Sequence, residues 1–292
     1  MREYLEAFMT ECDYPKEAVC ELLSAFDTIV VSSAEELYSL LADYDNSYNI
    51  NYTEAINSIR ALADGSGVHR YTAELLLFLC YTRSLRRYYL EAGISDDIYR
   101  STVLDLKYKL DECKCVYGIY GSFVAYWFAG FFKLERFALG RLQFELIPLG
   151  TEYESGGVHL MPDSKVINVH IPRTGTRLDR ERALMSYRLA AKFFSAQLDG
   201  EIAFVCNSWL LFKRHLEMLS EGANLRHFIC DYDLISCGEY KDYSEVWRLF
   251  DTMYDGNPDK LPCDTSLRRA YVDIIRRGER TGWGRGIFIY KE

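Results

Sequence analysis

Apolar positions repeat at intervals of three and four through the first part of the chain and at every second residue through much of the remainder. The first interval lines one face of a helix, so residues 4–9, 15–25, 34–43, 71–91 and 96–113 are predicted helices. Pro15 suits a first helical turn, and Ser32 and Ser33 are cap candidates for the helix behind them. Segment 71–91 is the strongest: Tyr71, Leu75, Leu76, Leu79, Leu85 and Leu90 are apolar, Gly65 and Gly67 precede it, and Gly93 ends it.

The period changes after Lys133. Within 137–147, Leu142, Phe144 and Leu146 alternate with Arg141, Gln143 and Glu145, the signature of a strand with one buried face. A turn-rich segment through Gly156 and Gly157 leads to a strand at 166–171, closed by Pro172, which cannot continue a ladder. A helix at 179–196, a strand at 202–206, a helix at 212–219 and a strand at 226–232 follow. Helices at 243–253 and 265–277 precede a last strand at 283–290. The expected fold class is therefore α+β/α/β, an all-helical N-terminal domain (1–133) followed by a mixed-sheet α/β domain (134–292), with no internal repeat.

A length of 292 residues suits two cores, and 49% hydrophobic with 26% charged residues lets each part bury one. The formal charge of −9 argues against a general nucleic-acid binder, and the local clusters at Arg83, Arg86 and Arg87 and at 268–280 read as solvated helix faces. Nine scattered cysteines and a start without an apolar signal core point to a cytoplasmic protein rather than a disulfide framework. Cys113 and Cys115 lack a second pair at zinc spacing, so no metal is expected. The uncharged stretch 115–132 holds three glycines and no leucine, which fits a buried helix between domains better than a membrane span.

Three segments can carry chemistry. Between the strand at 166–171 and the next helix lie Arg173, Gly175, Thr176 and Arg177, a strand–loop–helix layout that can hold an anion through backbone N–H groups, the helix dipole and guanidinium charge. The competing account is a capped helix, with Thr176 and Asp179 at capping-box spacing. On the strand itself, alternation places Asn168 and His170 on one face, either as a hydrogen-bonded pair or as a catalytic base. At the end of the strand 202–206, Asn207 can hold a ligand amide and Ser208 can donate a proton, or both can cap the following helix. Cys206 reads as a core thiol.

Leu139, Gly140, Leu142, Phe144 and Leu146, then Val169, His170, Ile171, Pro172, Gly175 and Leu178, then Val205, Asn207, Ser208, Trp209 and Leu211 together resemble the GNAT-like acyltransferase-domain proteins that carry a helical N-terminal domain. The resemblance implies an N-acyltransferase that moves an acyl group from acyl-CoA or acetyl-CoA to a small-molecule or peptidic amine, without nucleic acid, membrane or metal. It implies that the strands 166–171 and 202–206 splay apart, that Val169 and Ile171 offer backbone to the pantetheine arm, and that Arg173, Gly175, Thr176, Arg177 and Asn207 hold the rest of the cofactor. Glu145, His170 or Asp231 would take the amine proton, and Ser208, Tyr232 or water would serve as acid. Glycine falls one position earlier than in the usual signature, and 212–219 holds no tyrosine, so a non-catalytic GNAT-like binding module is the alternative.

Overall fold

The computed structural model describes residues 1–198 and 200–291 and divides into two compact units, Met1–Phe137 and Ala138–Glu292. The first holds α1 (Arg2–Glu11), α2 (Lys16–Asn46), α3 (Tyr52–Ser66), α4 (Arg70–Glu91), α5 (Asp96–Tyr117) and the single turn α6 (Ala129–Phe132). Helix α4 is central: from Leu75 to Tyr81 every residue is buried, so neighbours cover it on all sides. Two tyrosine hydroxyls here reach backbone oxygens, Tyr44 donating to Phe132 O at 3.0 Å and Tyr88 to Tyr44 O at 2.8 Å, so both are paired on burial.

One expectation in this unit holds and one needs correction. The segments 15–25 and 34–43 are separate helical runs within α2, divided at Ser33, whose φ of −154° and ψ of 47° are not helical. The Ser32 hydroxyl bonds back to Ile29 O at 3.1 Å, the kind of contact that bends a helix rather than starting one. The uncharged stretch 115–132 is not a continuous helix: Gly118 at φ +73° ends α5, and Gly121 lies so close to Tyr71 that a Cβ there would come within 2.4 Å of its backbone.

The second unit is built on a six-stranded sheet of order β1-β2-β5-β6-β8-β7 and a separate hairpin, β3-β4. Its elements are β1 (Arg136–Leu139), β2 (Leu142–Pro148), β3 (Tyr153–Ser155), β4 (Val158–Leu160), β5 (Lys165–His170), α7 (Arg180–Phe194), β6 (Ala203–Ser208), α8 (His215–Met218), α9 (Asn224–Cys230), β7 (Asp233–Glu239), α10 (Trp247–Phe250), α11 (Ser266–Arg276) and β8 (Gly282–Ile289). A helical unit followed by a mixed sheet is the expected class. The strand expected at 226–232 is instead helix α9, because Phe228, Ile229 and Tyr232 are buried at the spacing of a helical stripe. The helix expected at 243–253 shrinks to α10, and that at 212–219 to α8.

Strand alternation gives the sheet two faces. One carries Phe144, Phe204 and Phe288, whose rings meet Tyr187 of α7 at centroid separations of 6.3, 4.9 and 5.1 Å. The other is apolar at one end, where Val166, Ala203, Val205 and Ile287 pack under Tyr153 and Leu160 of the β3-β4 hairpin. Toward the C-terminal ends of β5 and β6 the same face turns polar.

Candidate active site

Antiparallel pairing of β2 with β5 sets Glu145 opposite Asn168 and Gln143 opposite His170, so all four share the polar face. Asn168 donates from Nδ2 to Glu145 Oε1 at 2.9 Å, and His170 Nε2 lies 2.7 Å from the same oxygen. Ionised Glu145 can only accept, so the network assigns the ring proton to Nε2. Two donors then converge on one oxygen, and the 3.1 Å separation of Asn168 Nδ2 from His170 Nε2 is a contact between donors. The lone pair of the neutral ring falls on Nδ1, with Glu145 behind the ring to stabilise an imidazolium. Both side chains are mostly buried, 15% exposed for Glu145 and 19% for His170, which keeps the pair in a poorly screened setting.

The neighbouring strands explain why this face can open to a ligand. Strand β5 is paired with β2 through His170, and β6 with β8 through Ser208, yet among the described residues β5 and β6 pair with each other only at Ile167–Phe204 and Asn168–Val205. Beyond Asn168 and Val205 each strand keeps its outer partner while the two share no further pairing among the described residues, which leaves the backbone from Val169 on one strand and from Cys206 on the other without a ladder partner across this edge. By alternation from the Asn168–Val205 pair, Asn207 lies on the polar face with His170, and it is exposed.

The family model for a GNAT-like C-terminal domain matches residues 137–288. The chain belongs to that family. An N-acyltransferase N-terminal domain model matches residues 3–134, so the two matches follow one another along the chain. An acyltransferase in complex with decanoyl-CoA and teicoplanin is 20% identical, with a TM-score of 0.74 over 98% of this chain and 87% of that one. An acyltransferase mutant in complex with octanoyl-CoA is 19% identical, with a TM-score of 0.76 over 99% and 88%. At these identities the likeness speaks to the fold. No curated protein matches the chain.

The other residues singled out in the sequence lie in varied settings around the GNAT-like sheet. Ser208 is on the opposite face from His170, and its Oγ accepts the Leu210 N–H at 3.2 Å, capping a short turn. Asp231 follows α9 and pairs with Arg180 at 2.5 Å. Arg173 pairs with Asp251 at 2.9 Å, and Asp251 also holds Arg268 at 2.7 Å. Gly175 has φ +74° with open space around it, so its role is conformational, and Thr176 and Arg177 are exposed beside it. Asp179 caps α7, accepting the Arg182 N–H at 2.9 Å, so a carboxylate of the chain itself already occupies that helix terminus. Tyr232 is buried against Tyr187, hydroxyl to hydroxyl at 2.8 Å, and burial holds both phenols above their ordinary range.

Gln143 and Arg285 went unremarked as site residues. Gln143 is 1% exposed opposite His170, and Arg285 stands opposite Asn207 on β8 and donates to Leu149 O. Reading the parity of β8 would have flagged Arg285, since its neighbours Ile287 and Ile289 belong to the apolar end of the same face. Arg86, Arg87, Arg268, Arg276 and Arg277 are engaged in ion pairs with nearby carboxylates, and Arg269 donates to Cys263 O. Among the described residues no group of His, Cys, Asp and Glu could hold a metal ion, and no helix is long and apolar enough to cross a membrane.

Proposed function

We propose that this chain is an N-acyltransferase that takes an acyl group from acyl-CoA and delivers it to an amine. The observation that carries this reading is the opening between β5 and β6 with the Glu145–His170 pair on its face. The pantetheine arm hydrogen-bonds the β5 backbone at Val169 and Ile171, and the pyrophosphate lies against the loop from Arg173 through Gly175 and Thr176 to Arg177. Asn207 holds the thioester end from the other side.

The amine nitrogen attacks the thioester carbon and the C–S bond breaks. The amine proton passes to His170 Nδ1, directly or through water, and the sulfur leaves as thiolate to be protonated by solvent. Glu145 orients the ring and offsets its charge. Ser208 and Asp231 support this arrangement structurally, through the turn after β6 and the tie to α7. The acceptor is a small or peptidic amine, consistent with the decanoyl-CoA and teicoplanin held by a structural neighbour, and nine free cysteines suit a cytoplasmic setting.

A second reading, a non-catalytic GNAT-like binding module, is favoured by one observation: the segment after β6, Trp209–Leu211 and α8, offers no tyrosine as acid. Thermal unfolding with CoA and with acetyl-, octanoyl- and decanoyl-CoA tests both. A donor at 100 times its dissociation constant adds about 2.7 kcal/mol, or about 5–10 °C for a unit of this size. No rise with any thioester sinks the donor assignment, and a rise without thiol release across a panel of amines favours the binding module.

A further inference from the structure

The backbone of the loop between β5 and α7 is held from outside by Arg141. Its place is fixed by the β1-β2 turn: Gly140 has φ +73°, a Cβ on it would meet Ser186 Oγ at 2.6 Å, and the Arg141 N–H donates to that same Oγ at 2.7 Å. The Ser186 hydroxyl donates in turn to Arg182 O at 2.7 Å, so the turn is pinned to α7. From there the guanidinium grips both ends of the loop, Nη1 donating to Pro172 O at 2.9 Å and Nε to Thr176 O at 2.9 Å.

This grip orients the amides. In a trans peptide the C=O and the following N–H point in opposite directions, and the described residues include no cis bond. With Pro172 O and Thr176 O drawn to Arg141, the N–H groups of Arg173 and Arg177 face away from the guanidinium. Within the loop Thr174 N–H donates to Pro172 O at 3.1 Å and Thr176 N–H to Thr174 Oγ1 at 3.1 Å, which close the turn from the inside. Asp179 takes the Arg182 N–H at the start of α7, and the amides that Arg141 turns outward add donors that an anion can use.

We propose that Arg141 is a positioning residue that preorganises the loop between β5 and α7 for the pyrophosphate of CoA, acting through the carbonyls of Pro172 and Thr176 without touching the ligand. The proposal rests on the acyl-CoA reading above. Preorganisation spares the ligand the cost of ordering the loop, so its loss falls on the nucleotide end of the donor and not on the thioester.

The test compares wild type, Arg141→Gln and Arg141→Lys with two donors, acyl-CoA and the matching acyl-pantetheine, which lacks the pyrophosphate. For Arg141→Gln the KM for acyl-CoA should rise about 10- to 100-fold, the size of losing a charge-assisted hydrogen bond. Its kcat at saturation and its KM for acyl-pantetheine should stay within about twofold of wild type. Arg141→Lys should be nearly as impaired, since one ammonium cannot reproduce the two-point grip. Full rescue by lysine, or equal weakening of both donors, overturns the proposal. If wild type binds CoA and Arg141→Gln binds it as well, this proposal fails while the enzymatic reading stands, whereas wild type that binds no CoA removes both. Should Arg141→Gln not fold, amide exchange on wild type decides: CoA should slow exchange at Arg173 and Arg177, and unchanged exchange there refutes the role.

Discussion

Replacing Glu145 with glutamine separates the chemistry of the Glu145–His170 pair from its architecture. Glutamine keeps the length of the side chain and one carbonyl oxygen that can still accept from Asn168 or His170. What it removes is the charge 2.7 Å from His170 Nε2. When the ring takes a proton in the transition state, that charge supplies a hydrogen bond to an ionised group, worth about 1.5–3 kcal/mol. With both side chains more than four-fifths buried, solvent screens the pair weakly, and the Coulomb ceiling at 2.7 Å and an effective dielectric of 20 is about 6 kcal/mol. The hydrogen-bond range converts to a fall in kcat of about 10- to 150-fold. Acyl-CoA affinity should hold, because Glu145 on β2 is not among the groups proposed to bind the donor.

A cycle with His170→Ala sharpens the assay, which follows thiol release from acyl-CoA at saturating amine. If Glu145 acts through His170, the double variant should be no slower than His170→Ala alone, since residues working as a unit are not additive. A kcat for Glu145→Gln within about twofold of wild type, or fully additive losses in the cycle, would falsify the assignment of His170 as the base and Glu145 as its partner.

Three further outcomes follow from the fold. Removing either buried hydroxyl of the Tyr187–Tyr232 pair, 2.8 Å apart, strands the other: Tyr187→Phe and Tyr232→Phe should each cost about 1–3 kcal/mol in urea unfolding, the double variant less than their sum, and simple additivity counts against the pair. A Cβ on Gly284 would come 2.2 Å from Leu211 O, so Gly284→Ala should destabilise by more than about 2 kcal/mol, and an unchanged midpoint would show that β8 and the Trp209–Leu211 turn can part freely. Burial lowers His215 below the ordinary imidazole value of 6.5, partly offset by its bond to Leu210 O, while its Nε2 faces Tyr271 OH at 2.7 Å. The unfolded chain therefore takes up more protons there at low pH, so this contribution is complete above pH about 6.5 and is lost as pH falls; His215→Gln should flatten Tm against pH between about 7 and 5, and parallel curves exclude the residue.

How much of this was legible in the sequence follows from the reach of each regularity. Strand parity is rigid, so Asn168 and His170 on one face of β5, and Gln143 and Glu145 on one face of β2, could be read directly from alternation. That Glu145 stands opposite Asn168 depends on the register of two strands joined through the β3-β4 hairpin, and no local pattern sets it. Short apolar runs were the weakest signal: over 226–232 length cannot separate strand from helix, and the burial of Phe228, Ile229 and Tyr232 decides for α9. The uncharged run 115–132 misled for the opposite reason, since composition outweighed Gly118 and Gly121, whose backbone roles appear only when α5 ends and Tyr71 comes near.

Charge was the least legible. Arg173 and Arg177 look alike in sequence, yet Asp251, held at φ +59° and far along the chain, claims Arg173, while Arg141 spends its guanidinium on two carbonyls. An arginine's partner is fixed by whichever acceptor the fold brings within reach, and here those acceptors come from two separate segments, the loop itself and the end of α10. The loop between β5 and α7 therefore carries less mobile charge, and more oriented backbone, than a count of its arginines implies. For a diphosphate that distinction predicts weak dependence of binding on Arg173: Arg173→Ala should raise the KM for acyl-CoA by less than Arg141→Gln does, measured under the same salt. The reverse order would mean that direct charge, and not the set of the loop, governs the donor.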